Sequence, residues 1–160
     1  MRPTPDRVRE TLFNWLGQDL AGKRCLDLFA GSGALGFEAA SRGAASVVMV
    51  EHNRATFCAL RENSKKLGCA NVTLYCEDGL GFARRQETGR YDLIFVDPPF
   101  RGGILPEVLP LLAAKLAEEG LVYVESGEAV ETGANWRVVK SAKAGKVHYH
   151  LLQYGVKTQQ

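Results

Sequence analysis

A glycine-rich turn followed by an acidic residue is the first pattern in this chain whose residue types and spacing could do chemistry. Gly31, Gly33 and Gly36 form a G-x-G-x-x-G turn directly after a short apolar segment. Missing side chains at such positions let backbone N–H groups approach a ligand closely. Glu51 follows Gly31 by 20 residues, the spacing expected of a carboxylate that binds ribose hydroxyls. The pattern therefore predicts a site for a nucleotide-like cofactor.

Asp27, a charged residue inside the apolar segment before the turn, narrows the choice of cofactor. A buried carboxylate with no partner carries a large desolvation cost, so a ligand that compensates it is expected. A nicotinamide cofactor is the alternative, but its anionic pyrophosphate needs only the helix N-terminus and gains nothing from Asp27. S-adenosylmethionine carries a sulfonium and an α-ammonium and no phosphate. We therefore predict that it is the cofactor and that Asp27 attracts its ammonium group.

The other contacts of this cofactor follow from the same pattern. Glu51 is expected to take the two ribose hydroxyls, and the turn amides are expected to bind the methionine part. Asp78, at the end of the third predicted strand, is placed to accept a hydrogen bond from the adenine amino group; the alternative is that it only caps a turn.

The segment Asp97-Pro98-Pro99-Phe100 follows another apolar strand and suits an amine substrate. The two prolines fix the backbone and lack N–H donors, so the Pro98 carbonyl and the Asp97 carboxylate together present acceptors to an exocyclic –NH2 group. Hydrogen bonds to both N–H groups favour the pyramidal nitrogen and expose its lone pair to a methyl donor. Phe100 is expected to stack on a flipped-out base. Guanine N2 and adenine N6 both satisfy this chemistry.

Alternating strands and helices position these residues. The expected strands are 24–29, 46–50, 72–76, 91–96 and 121–125, and the expected helices are 35–42, 53–67 and 104–116, the last bent or broken near Pro110. Two closing strands, 136–141 and 146–154, are joined by a turn at 142–145, which makes them antiparallel. The pattern predicts one α/β domain over 1–160, with a doubly wound, mostly parallel sheet, helices on both faces and a C-terminal antiparallel hairpin. The glycine turn after the first strand and Asp97-Pro98-Pro99-Phe100 after the fourth would both face the ligand crevice if these two strands are neighbours.

The bulk composition excludes several classes of protein. The chain has 160 residues, 46% hydrophobic and 24% charged, with a formal net charge of +2, which is ordinary for a globular domain and too small to indicate nucleic-acid binding by itself. No apolar run approaches the roughly 20 residues of a membrane span, and no secretory signal is apparent. The four cysteines lack C-x-x-C spacing and the three histidines lack ligand partners, so reduced thiols in a cytoplasmic protein and no metal are expected.

The first 17 residues predict an amphipathic helix with Thr4 as N-cap and Gly17 at its end. It either packs on the sheet with solvated arginines or covers the cofactor.

With these motifs, the chain resembles the bacterial 16S rRNA (guanine(966)-N(2))-methyltransferase family of the class I S-adenosylmethionine-dependent methyltransferases. The similarity is carried by the stretch from Arg2 to Leu16, by Asp27 to Gly36 with Glu51, and by Asp97 to Arg101; it extends over essentially the whole chain. The resemblance implies a Rossmann-like fold and methyl transfer to guanine N2 in 16S rRNA, either free or in a small-subunit particle. S-adenosylhomocysteine is then the product, and the enzyme is expected to be a monomer.

The resemblance also implies roles residue by residue. The cofactor-binding residues are Asp27, Phe29, Ala30, Gly31, Ser32, Gly33, Gly36, Glu51, His52, Asp78, Gly79 and Asp97. The catalytic residues are Asp97, Pro98, Pro99 and Phe100. The substrate-binding residues are Thr4, Arg7, Arg9, Phe100 and Arg101, of which Arg101 is expected to contact phosphate.

The family usually carries a further basic segment before the Arg2-Pro3-Thr4 stretch, and this chain begins at that stretch. Of the properties that the resemblance implies, RNA affinity is the one that this difference would change, because the cofactor site does not depend on that segment. Three other hypotheses stay open: adenine-N6 or other amino methylation of nucleic acid, a nicotinamide-dependent oxidoreductase, and a non-catalytic RNA-binding module.

Overall fold

A computed structural model describes residues 4–98, 104–127, 132 and 135–155. These ranges contain twelve helices and strands. In chain order they are α1 (Thr4–Trp15), β1 (Arg24–Asp27), α2 (Ala34–Ser41), β2 (Ser46–Val50), α3 (Arg54–Leu67), β3 (Val72–Tyr75), α4 (Gly79–Arg84), β4 (Tyr91–Val96), α5 (Leu105–Ala113), β5 (Leu116–Ser126), β6 (Trp136–Ala144) and β7 (Val147–Tyr154).

The strands form one sheet in the order β3-β2-β1-β4-β5-β7-β6. β1 to β5 are parallel, whereas β7 runs antiparallel to both β5 and β6. The predicted doubly wound sheet with a C-terminal hairpin is therefore confirmed. β1 and β4 are neighbours, which is the condition under which the glycine turn and Asp97 face one crevice. We call the edge of the sheet at which β1 to β5 end the carboxyl edge.

Helices cover both faces of the sheet. Residues of α1, α2 and α3, among them Phe13, Ala39 and Phe57, form one core with Phe95 and Tyr123 of the sheet. The opposite core joins α4 and α5 to the other side of the same strands. The long apolar run of β4 is explained by this arrangement, because a central parallel strand is buried on both faces.

Helix α1 runs away from the carboxyl edge. Its last turn reaches the strand beginnings, where Trp15 lines a depression with Lys23 and Leu93. Trp15 also stacks on Tyr149, with ring centroids 5.2 Å apart. The first turn of α1 therefore points toward the carboxyl edge, the end of the sheet that carries the predicted chemistry.

The β6–β7 turn lies at this edge as well. Lys143 of β6 pairs with His148 of β7, which in turn pairs with Ser126, the last residue of β5. The turn itself comprises residues 145 and 146, beyond the end of β5.

Several predicted boundaries are wrong. β1 ends at Asp27 rather than at residue 29. α5 continues through Pro110 without a break but ends at Ala113, and β5 begins already at Leu116. The hairpin turn has two residues instead of the expected four at 142–145, because Ala142 and Ala144 pair with residues of β7. Within the described ranges, no helix is both long and apolar enough to span a membrane.

Candidate active site

Asp27 is a buried carboxylate at the end of β1. Its side chain is 2% exposed, and its Oδ2 accepts a hydrogen bond from the backbone N–H of Gly36 at 3.1 Å. Burial, first, and the negative charge of Asp97, second, raise the pKa of Asp27 to about 7, although the hydrogen bond from Gly36 acts in the opposite direction. A cation beside this carboxylate would restore its ordinary ionised state.

The three glycines of the turn differ in backbone conformation and in the atoms around them. Gly31 has φ +56° with open space around it. Gly33 has φ +87° and starts α2, and a Cβ there would lie 2.4 Å from the Phe37 ring. Gly36 is packed against Met49, and its N–H is donated to a carboxylate of the protein rather than to a ligand. Close helix–strand packing and support of Asp27 are therefore the observed roles of Gly36.

Glu51 follows β2 and holds the same turn from the opposite side. Its Oε1 accepts a hydrogen bond from the N–H of Gly31 at 2.9 Å, and its Oε2 accepts one from the N–H of Asn53 at 3.0 Å. A carboxylate offers about four acceptor positions, so each oxygen can still accept a second bond. The carboxylate is thus oriented before any hydroxyl group binds to it.

A cavity of about 550 Å³ opens among these groups, within the usual size of small-molecule sites. The residues that line it are Asp27, Phe29, Ala30, Gly31, Ser32, Ala34, Leu35, Glu51, His52, Asn53, Thr56, Asp97 and Pro98. The predicted turn residues Gly33 and Gly36 lie behind this lining. The structure thus brings Asp27 and Asp97 to one cavity.

A second cavity of about 220 Å³ shares Phe29, Glu51 and His52 with the first. It continues past Asp78 and Gly79 to the apolar side chains of Leu80 and Ile104. Asp78 caps α4, because its Oδ2 accepts a hydrogen bond from the N–H of Gly81 at 3.0 Å. The capping alternative is therefore observed, and Asp78 lines this cavity at the same time.

The segment predicted to present the amine is described in part. Asp97 is half-buried and Pro98 is buried, and both line the larger cavity. Pro99, Phe100 and Arg101 lie outside the described residues.

The predicted substrate-binding residues of α1 are less well placed around the cavity. Arg9 forms an ion pair with Asp6 at 2.9 Å and lines a separate depression with Glu38 and Arg42, so the structure does not bring it to the cavity. Arg7 is exposed on the first half of the helix. The side chain of Thr4 is not among the described ones.

Sequence reasoning missed several lining residues. Ala34, Leu35, Asn53 and Thr56 line the larger cavity. Asn53 was detectable, because it caps α3 by accepting the N–H of Thr56 at 2.9 Å directly after the strand that ends near Glu51. The apolar residues carried no comparable signal, since nothing in their type distinguishes a cavity wall from a core position.

A doubly wound sheet in this strand order, with an acid-lined cavity at the switch point between β1 and β4, defines the class I S-adenosylmethionine-dependent methyltransferases. The family described as "Conserved hypothetical protein 95" matches residues 1–153. Ribosomal RNA small subunit methyltransferase D of Escherichia coli strain K12 is 45% identical over 160 residues, covering 96% of this chain and 79% of that protein. The chain therefore belongs to the family of ribosomal RNA small subunit methyltransferase D.

Other relatives agree. The Haemophilus influenzae protein of the same name is 38% identical, with 96% of this chain and 83% of that protein covered. A solved structure of a putative methyltransferase from Escherichia coli has TM-score 0.87 at 43% identity and covers 98% of this chain and 89% of that one. An RNA methyltransferase from Salinibacter ruber, solved with S-adenosyl-L-homocysteine, shares the fold at 16% identity with TM-score 0.75, covering 99% of this chain and 97% of that one. The predicted family and fold are confirmed.

Proposed function

We propose that this enzyme transfers the methyl group of S-adenosylmethionine to the N2 amino group of a guanine in the RNA of the small ribosomal subunit. The observation that carries the proposal is the common cavity of Asp27 with Asp97 and Pro98, which joins a site for a cation to acceptors for an amine. The names of the Escherichia coli and Haemophilus influenzae relatives support the RNA substrate.

The cavity fits this cofactor. When bound, S-adenosylmethionine supplies an activated methyl group on a positively charged sulfur. Asp27 would bind the ammonium of the methionine part, since its buried carboxylate accepts the N–H of Gly36 and a carboxylate has further acceptor positions beyond one such bond. Glu51 would hold the ribose hydroxyls. The smaller cavity, with Asp78 at its rim and Leu80 and Ile104 in its wall, would take the adenine.

Asp97 and Pro98 would hold the substrate amine. An amino group on a purine is a poor nucleophile, because its lone pair is delocalised into the ring. Accepting both N–H bonds, on the Asp97 carboxylate and the Pro98 carbonyl, orients the nitrogen and favours the form whose lone pair is available. The new N–C bond would form as the S–C bond breaks and S-adenosylhomocysteine leaves. The methylated nitrogen is then cationic and acidic, so its proton can pass to the Asp97 carboxylate or to water, and Asp97 need not be a strong base.

Basic residues at the carboxyl edge would meet the RNA backbone. Four exposed basic residues lie along β6 and in the hairpin turn: Arg137, Lys140, Lys143 and Lys146. Lys143 and Lys146 lie at the same edge as Asp97, because the β6–β7 turn projects beyond β5. Arg101 and Phe100 remain predicted contacts to phosphate and to the base, and Thr4, Arg7 and Arg9 remain predicted substrate contacts.

The proposal extends to the organisation of the protein. We propose one methyltransferase domain over residues 1–160, acting as a monomer in the cytoplasm, where ribosomal particles are available. A non-catalytic RNA-binding module is disfavoured by the buried Asp27, since a site without a ligand would gain nothing from an uncompensated carboxylate.

Methylation of small ribosomal subunits from cells that lack this modification tests the proposal. The purified enzyme, with S-adenosylmethionine labelled in the methyl group, should transfer label to the RNA, and mass spectrometry of the nucleosides should identify N2-methylguanosine. Asp97→Ala should abolish transfer and still bind S-adenosylhomocysteine. Asp19→Ala, at an exposed position outside the cavity, is the matched control and should retain activity. Label in N6-methyladenosine, or full activity of Asp97→Ala, would overturn the proposal.

A further inference from the structure

Glu125 stands beside Asp97 on the next strand of the sheet. Asp27 of β1 pairs with Phe95 of β4, and Phe95 pairs with Tyr123 of β5, so these three residues form one row across the sheet. Side chains two residues apart in a strand point to the same face. Asp97 and Glu125 therefore form the next row toward the carboxyl edge, on neighbouring strands that lie about 4.8 Å apart.

The carboxylate of Glu125 is oriented by a hydrogen bond from a residue of the same strand. Its Oε2 accepts a hydrogen bond from the hydroxyl of Tyr123 at 2.6 Å. Tyr123 is fully buried, and burial together with the charge of Glu125 raises the pKa of its phenol far above the ordinary value. Tyr123 consequently stays protonated and remains a donor to Glu125. Glu125 itself is half-buried at the end of β5.

The strand order puts Glu125 on the substrate side of the site. The cofactor cavity is lined by residues that follow β1 and β2, and by Asp97 and Pro98 after β4. β5 pairs with β4 on the side opposite to β1. A base whose amine is held by Asp97 and faces a methyl group over β1 can extend toward β5, and its ring edge would then meet Glu125.

We propose that Glu125 accepts the ring N1–H of the target guanine and thereby makes the enzyme specific for guanine. This inference rests on the proposed function and deepens it. Guanine presents N1–H directly beside its N2 amino group, so a base held by Asp97 and Pro98 through N2 offers the neighbouring donor to a carboxylate on β5.

Adenine fails this test for a physical reason. Its exocyclic N6 amine could be held by Asp97 and Pro98 equally well, but the ring nitrogen beside it, N1, is an acceptor without hydrogen. A carboxylate facing that nitrogen would set two acceptors against each other, and a site built around a hydrogen bond discriminates strongly against an analogue that cannot form it. Glu125 thus separates two amines that Asp97 alone cannot distinguish.

Base analogues at the methylated position provide the test. Small subunits are reconstituted with RNA that carries either guanine or 2-aminopurine there; 2-aminopurine keeps the N2 amine but has an acceptor at N1. The wild-type enzyme should methylate the 2-aminopurine particle with kcat/KM lower by roughly 10- to 100-fold, the range of one missing hydrogen bond to a charged group. Glu125→Gln should lower kcat/KM on guanine by a similar factor and raise it on 2-aminopurine, because a glutamine amide can donate to N1.

Three controls accompany this test. Glu118→Gln, at the opposite edge of the sheet near Lys23, should behave as wild type on both bases. Glu125→Gln should bind S-adenosylhomocysteine with unchanged affinity and keep its melting temperature within a few degrees, since the amide oxygen can still accept from Tyr123. Tyr123→Phe, which leaves Glu125 in place but removes the hydrogen bond from the Tyr123 hydroxyl, should weaken discrimination between the two bases while the protein remains able to bind cofactor.

The outcomes are distinct. No methylation of guanine particles by the wild type contradicts the proposed function itself. Methylation of guanine with equal kcat/KM on 2-aminopurine overturns the role of Glu125 alone, and so does a Glu125→Gln enzyme whose preference between the two bases is unchanged.

Discussion

The backbone N–H of Gly36 donates a hydrogen bond to the buried carboxylate of Asp27 across 3.1 Å. The third glycine of the turn thus supports the acid that precedes the turn, nine residues earlier. Because a Cβ at Gly36 would lie 2.7 Å from the Met49 sulfur, only glycine lets α2 approach the sheet this closely without displacing Met49. The spacing between Asp27 and Gly36 is therefore a structural requirement of the site as well as a sequence pattern.

We predict that affinity for S-adenosylmethionine falls as the pH drops below 7. The pKa of Asp27 in the free protein is about 7, and a bound ammonium favours the ionised form, so binding releases a proton. By linkage the affinity at pH 6 should be about eightfold lower than at pH 7.5. Calorimetric titration between pH 5.5 and 7.5 measures this dependence.

The matched controls for this titration are Asp27→Asn and His52→Gln. Asp27→Asn should bind weakly at every pH, whereas His52→Gln should keep the dependence although residue 52 lines the same cavity. Persistence of the full pH dependence in Asp27→Asn would assign the proton to another group.

The ionised carboxylate of Asp27 should also lower the free energy of unfolding of the ligand-free protein. Its folded pKa is raised above the unfolded value, so the folded state binds more protons, and the free energy of unfolding falls as the pH rises from about 4 to about 7. We expect Asp27→Asn to raise the melting temperature by several degrees at pH 8 and by little at pH 4. A melting temperature at pH 8 equal to or below that of the wild type would contradict this expectation.

The two left-handed glycines should differ in their tolerance of alanine. Gly31→Ala meets open space, so its cost is the backbone term of about 1–2 kcal/mol. Gly33→Ala adds a clash with the rings and methyl groups of Phe37 and Leu60 and should cost roughly 1–3 kcal/mol more. Urea unfolding of both variants tests the order, which an equal loss of stability would contradict.

Glu51→Gln should weaken cofactor binding and loosen the turn together. One of the two carboxylate oxygens becomes an amide NH2 and faces the N–H of either Gly31 or Asn53. We expect affinity for S-adenosylhomocysteine to fall roughly 10- to 100-fold, the range for a hydrogen bond to a charged group. Glu62→Gln, on an exposed part of α3, should leave affinity unchanged.

Lysines at the hairpin turn should contribute to RNA binding through charge alone. In the double variant Lys143→Ala/Lys146→Ala, the slope of log affinity against log salt should decrease by roughly 1 for each phosphate that is no longer neutralised. The control is Lys65→Ala/Lys66→Ala in the last turn of α3. This turn lies near the start of β3 and therefore at the edge of the sheet opposite to the carboxyl edge. Equal salt slopes for the two double variants would contradict an RNA interaction at the hairpin.

The parts of the fold that sequence could predict are those in which local pattern and tertiary environment agree. The apolar run of β4 and the Asn53-capped helix ending before Gly68 are of this kind. The start of β5 is the opposite case, since Leu116 to Glu119 consists of residues that favour helices. In the structure this segment pairs with β4 across a register shift, and Glu119 takes φ +63°. Tertiary pairing there outweighs local preference.

The candidate site divides in the same way. Asp27 and Glu51 could be predicted, because a charge inside an apolar strand and a carboxylate at a set distance from a glycine turn seldom serve packing alone. Glu125 could not be, because one acid at the end of a strand is ordinary, and only the strand order places it beside Asp97. Arg9 differs again: its predicted substrate contact comes from the family resemblance alone, and the structure shows its ion pair with Asp6, three residues earlier.

The antiparallel pairing of β7 with β5 has a consequence for biosynthesis. β7 follows all the other described strands in the chain, yet it separates β5 from the edge strand β6. Until β7 has left the ribosome, Val122 and Val124 belong to a strand with one open side, the arrangement that invites pairing with other chains. A nascent chain stopped before β7 should thus be prone to aggregate. β5, the strand that carries Glu125, is paired on both sides only after the β6–β7 hairpin has been synthesised.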